Sequence, residues 1–147
     1  MKMTNTIKLT AVALTATFGL AIAAAAQDAA GAPPAAPIMP PASTKQGVTY
    51  ATDIKAILDA SCVKCHSGDK PKAHLKLDSL EGALKGSKDG PILKPGDSAN
   101  SFVVKSVSHL TVDHDAWMPP LHNRANIAPL TPDQIGLIRA WIDQGAK

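Results

Sequence analysis

DASCVKCHSG, residues 59–68, holds both cysteines of the 147-residue chain and a histidine directly after the second. Three chemistries use a Cys-X-X-Cys pair: a redox dithiol, a structural zinc site, and covalent attachment of haem. Each asks something different of the surrounding sequence. A redox dithiol normally opens a helix within a strand-helix-strand unit. Structural zinc needs four ligands, usually two closely spaced pairs. Haem attachment needs the third residue, His66, as well as Cys62 and Cys65.

The flanking residues favour the third chemistry. Ile54, Ile57 and Leu58 recur at i, i+3 and i+4, which predicts a helix over about Thr52–Ala60, capped by Thr52 or Asp53. The motif therefore follows a helix rather than opening one. For zinc, the remaining histidines are His74, His109, His114 and His122, and only His109 with His114 has compact spacing. A plain disulfide would leave His66 without a role. In the haem reading, the Cys62 and Cys65 thiols each add to one vinyl group. His66 binds the iron on one face, as the proximal axial ligand. On a helical turn, i+3 and i+4 lie on the side of residue i, so one planar group can be gripped at its edge and its metal together.

Iron held by His66 has an opposite face. Within DAWMPPLH, residues 115–122, Met118 offers a soft thioether, and Pro119 and Pro120 restrict the backbone behind it. Met118 is the expected distal axial ligand. His109, His114 and His122 are its competitors, and a bis-histidine haem would sit at lower potential. Packing as a core filler is the bland reading of Met118.

The last helix is marked most clearly. Thr131, Pro132, Asp133 and Gln134 supply a cap, a proline at the first helical position, an acid against the dipole and a capping-box glutamine. Ile135, Ile138, Trp141 and Ile142 form its apolar stripe, and Gly145 its stop. Two shorter helices are expected, over about Ser79–Lys85 and Ser98–Val107, the latter with Phe102, Val103 and Val107 inward. No long period-two alternation occurs, so the fold class is all-α: about four short helices with long loops around one covalently bound haem. From His109 to Pro129 there is no periodic element, and a stretch of that length inside a small domain is usually functional.

Outside this domain the composition changes. Residues 27–47, QDAAGAPPAAPIMPPASTKQG, carry five prolines and no apolar period, and read as an extended Ala/Pro-rich linker. Residues 1–26 read as an export signal peptide. Lys2 and Lys8 precede an uncharged stretch from Leu9 to Ala26, and Ala24–Ala26 provide small residues for cleavage before Gln27. Membrane association is expected only if this segment stays uncleaved. Without the signal the chain has 13 basic and 12 acidic residues and no basic run, which gives no footprint for nucleic acid. Aromatic residues make up only 3%, a thin supply of large core side chains.

Taken in order, IKAILDASCVKCHSG, LKLDSLEGALKG, PGDSANS, MPP and LTPDQIGLIRAWIDQGA resemble a class I c-type cytochrome of the small planctomycete kind over nearly all of residues 50–147. The resemblance implies a cytochrome c domain over 48–147. Its first and last helices would cross beside one haem c. Cys62 and Cys65 would be the attachment points, and His66 and Met118 the axial ligands. The histidine-bearing HLTVDHDAW before Met118 departs from the family pattern. The expected function is single-electron transfer between exported or membrane-bound redox protein partners, in the periplasm and without enzymatic turnover. The alternative is a peroxidase-like haem enzyme or gas sensor, with the distal position open or facing His114 or His122.

Overall fold

The computed structural model describes residues 38–147. The signal-peptide reading of 1–26 and the linker reading of 27–37 lie outside the described residues. Among the described residues there are four α-helices and no strand beyond an isolated bridge between Ser87 and Gly90. The all-α expectation therefore holds.

Helix α1, Lys55–Ser61, is preceded by a π-helical turn, Tyr50–Ile54. The cap lies earlier than expected, at Thr49, whose hydroxyl accepts from Thr52 N. Asp53 reaches back to accept from Thr49 N at 3.1 Å. This reciprocal pair satisfies donors that an uncapped helix start leaves orphaned.

Helix α2, Leu80–Lys85, ends where predicted and starts one residue later, with Ser79 as its cap. Ser79 accepts from Gly82 N, and Gly86 ends it at φ 85°, a conformation that favours glycine.

Helix α3, Phe102–Val107, is shorter than the predicted Ser98–Val107. The reason is local competition for the backbone. Asp97 accepts from Asn100 N and Nδ2, Ser101 Oγ donates to Asp97 O, and Ser98 turns to Asp143. Those bonds hold 97–101 as a turn. The inward face shifts accordingly. Val104 and Val107 are buried, Val103 is partly buried, and Phe102 is half exposed.

Helix α4, Pro132–Asp143, carries the predicted capping box: Gln134 N donates to Thr131 Oγ, and Thr131 N to Gln134 Oε1. Ile135, Ile138, Trp141 and Ile142 are all buried on one stripe. Each fully buried side chain of this size contributes about 1.5–3 kcal/mol. The stripe meets the opening turn, where the Tyr50 and Trp141 rings lie 6.1 Å apart, and it also meets α3. Ile54 is fully buried there, while Ile57 and Leu58 join the same core from α1.

The described end of the proline-rich stretch rests on α4. Ser43 N donates to Gly136 O at 2.9 Å, and Arg139 donates to Pro40 O. Gly136 permits this approach, since a Cβ there would meet Pro41 O at 2.8 Å. Met39 packs partly buried against the core.

Candidate functional site

Residues 62–65 form a tight turn leaving α1. Cys65 N and His66 N both donate to Cys62 O, at 3.1 and 3.0 Å. The motif is thus folded back on its first residue, with Cys62 buried and Cys65 half-buried. No disulfide joins the two cysteines.

His66 is fixed at three points. Its amide is held by Cys62, its carbonyl accepts from Leu77 N at 2.8 Å, and its Nδ1 lies 3.1 Å from Lys72 O. A carbonyl can only accept, so Nδ1 carries the proton and Nε2 keeps its lone pair. Burial lowers the imidazole pKa, which favours the neutral, ligating form. This is the second-sphere pattern that sets a ligating histidine's tautomer and ring plane.

Met118 arrives from the long loop. Its amide donates to Ser106 O at the end of α3, at 3.0 Å. The preceding turn, His114–Ala116, is capped by Asp113. Trp117 donates from Nε1 to Thr111 O at 3.1 Å. Two imidazoles pack against its ring, with centroids 5.0 Å away for His109 and 4.0 Å for His114. Farther on, Asn123 bonds Pro120 O, Ile127 O and Ile127 N. These contacts hold a stretch that has no periodic element.

Cys62, His66 and Met118 line one cavity of about 500 Å³. Leu75, Leu77, Ile92 and Val107 give it apolar walls. Of the five histidines, His66 alone lines it. His109 stacks on Trp117, His114 packs against it at a tilt, and His122 is exposed. Cys65 is not on the wall, although it shares the turn with Cys62 and His66.

Two other uses of the motif lack support in this geometry. Burial pushes the Cys62 thiol up to about 11, with the neighbouring Cys65 adding to the shift. A dithiol nucleophile needs the opposite displacement. Among the described residues, no three His, Cys, Asp or Glu side chains come together in a metal-holding group.

Sequence reasoning did not single out Ser106, whose side chain is buried and lines the cavity beside Met118. Its signal was the place of a small polar residue next to Val107 on the inward face of α3. Nor did it single out Leu75 and Leu77, whose alternate apolar positions were legible in LKLD.

Comparison with curated proteins and with solved structures gave no match to the chain. The family model of planctomycete cytochrome C matches residues 62–122, a span that begins at Cys62 and includes His66 and Met118. The residues that line the cavity all fall within this match, which supports a planctomycete-type cytochrome c domain over that span.

Proposed function

We propose that this domain carries single electrons outside the cytoplasm, on one haem c bound covalently through Cys62 and Cys65 with His66 and Met118 as axial ligands. The observation that carries this reading is the meeting of Cys62, His66 and Met118 on one apolar-walled cavity. The donor set fits the group: a thiol for the porphyrin edge, an imidazole with Nε2 available, and a thioether. Bound haem supplies a one-electron ferric–ferrous couple.

The chain's own residues account for the rest. The Lys72 carbonyl keeps the His66 ring in one tautomer and orientation. Leu75, Leu77 and Ile92 supply apolar wall to the cavity, and an apolar surround raises the cost of ferric charge. The half-exposed Phe102 lines the same cavity, where a redox protein partner can approach. The uncharged N-terminal segment supports export, and export suits haem attachment and exchange of electrons with periplasmic or membrane-bound donors and acceptors.

The test is spectroscopic. Ferric protein is expected to show the weak long-wavelength sulfur-to-iron absorption and to resist added cyanide. Met118→Ala should lose the band and bind cyanide readily, while His122→Ala should change neither. Rapid cyanide binding by the unmodified protein would overturn the assignment of Met118 and favour an open distal site.

A further inference from the structure

Three buried side-chain atoms at the end of α3 have no hydrogen-bond partner among the described residues: Ser106 Oγ, Ser108 Oγ and His109 Nε2. They differ in what they face. Ser106 lines the cavity and is 4% exposed, whereas Ser108 and His109 do not line it. A buried hydroxyl without an acceptor is destabilising, and it persists where a ligand or an ordered site completes it.

Ser106 is also the residue on which Met118 is hung. Its carbonyl accepts from Met118 N at 3.0 Å, so its side chain and the Met118 side chain enter the same cavity from neighbouring backbone. The cavity wall on this side carries two carboxylates, Asp113 and Asp115, from the turn that leads into Met118. Both carboxylates are exposed, whereas the Met118 thioether, which lines the same cavity, is a neutral acceptor for the buried hydroxyl.

We propose that Ser106 is a positioning residue for the distal ligand: its hydroxyl donates to the Met118 sulfur once that sulfur is bound to iron. The proposal rests on the reading of Met118 as axial ligand. A donor on the sulfur withdraws electron density from the iron and favours the ferrous form.

The experiment uses the full haem-loaded protein and compares Ser106→Ala and Ser106→Thr with the unmodified chain. Alanine should shift the sulfur-to-iron band and lower the midpoint potential. At fixed ambient potential the ferrous-to-ferric ratio should fall about threefold, which is about 28 mV at about 59 mV per tenfold for one electron. Threonine, which keeps the hydroxyl, should restore both. A band and potential unmoved by alanine would overturn the Ser106 assignment alone. So would a changed potential with an unmoved band, because the hydroxyl would then act elsewhere than on sulfur. An unmodified protein that lacks the band altogether overturns the Met118 reading, and this proposal with it.

Discussion

The hydroxyl of Tyr50 donates to the backbone carbonyl of Leu77 at 3.0 Å, joining the opening turn of the first helix to a wall of the cavity. Leu77 N in turn donates to His66 O at 2.8 Å. The buried tyrosine therefore braces His66 through one intervening residue, while its ring packs against Trp141. Removing only the oxygen, as Tyr50→Phe, leaves the ring contact and orphans the Leu77 carbonyl. Loss of about 1 kcal/mol of stability is expected, within about 0.5–1.5 kcal/mol for a neutral bond. Denaturant unfolding of the haem-loaded protein measures it.

The turn that shortens α3 makes a second prediction. Ser98 is 1% exposed, and both its amide and its hydroxyl donate to the Asp143 carboxylate, at 2.8 and 2.9 Å. Arg139 Nε also donates to Ser98 Oγ. Asp143→Ala strands these donors and should cost about 1–3 kcal/mol. Ser98→Ala together with Asp143→Ala should cost less than the sum of the two single changes, because both remove the same hydroxyl–carboxylate bond. A cost no larger than that of an ordinary surface substitution would contradict the bracing role.

Acid should weaken the fold through two carboxylates. Asp53 is held down to about 2, first by its bond from Lys45 and then by Thr52 and Thr49. Asp97 is held down to about 2, first by Lys94 and then by Asn100. An aspartate in an unfolded chain titrates near ~3.9, so the unfolded state binds more protons between these values. Their stabilisation is therefore fully present above about pH 4 and lost as pH falls through about 2. Urea midpoints at pH 5, 3 and 2 should fall stepwise, and the paired change Asp53→Asn with Asp97→Asn should flatten that fall.

Gly136 makes a fourth. Its missing Cβ is what lets Pro41 O lie on α4, at 2.8 Å from the position a Cβ would take. Gly136→Ala should lift residues 40–43, break the Ser43 N to Gly136 O bond and speed hydrogen exchange at the Ser43 amide. Exchange at buried Ile138 should stay slow, because alanine is a good helix former.

What could be read from the sequence was what depends on local pattern. The α4 capping box, its buried stripe, the end of α2 and the Cys62–Cys65–His66 group all follow from spacing within a few residues. What escaped depends on competition and on distant partners. Thr49 rather than Thr52 caps the first helix because Asp53 reaches back to Thr49 N. Phe102 was expected inward, but the Asp97–Ser101 turn starts α3 later and leaves that ring half exposed on the cavity. The histidines before Met118 looked like rival ligands. Only the fold shows that His109 and His114 are taken up by Trp117. No periodicity encodes such packing.

The central claim is one haem, covalently held at Cys62 and Cys65. The direct measurement is the mass of the purified protein expressed with export and haem-attachment machinery, read beside a pyridine haemochrome spectrum. The account predicts one haem per chain that survives acid–acetone extraction, and no covalent haem in Cys62→Ala with Cys65→Ala. A colourless chain with two titratable thiols, or haem that extracts freely, would contradict it.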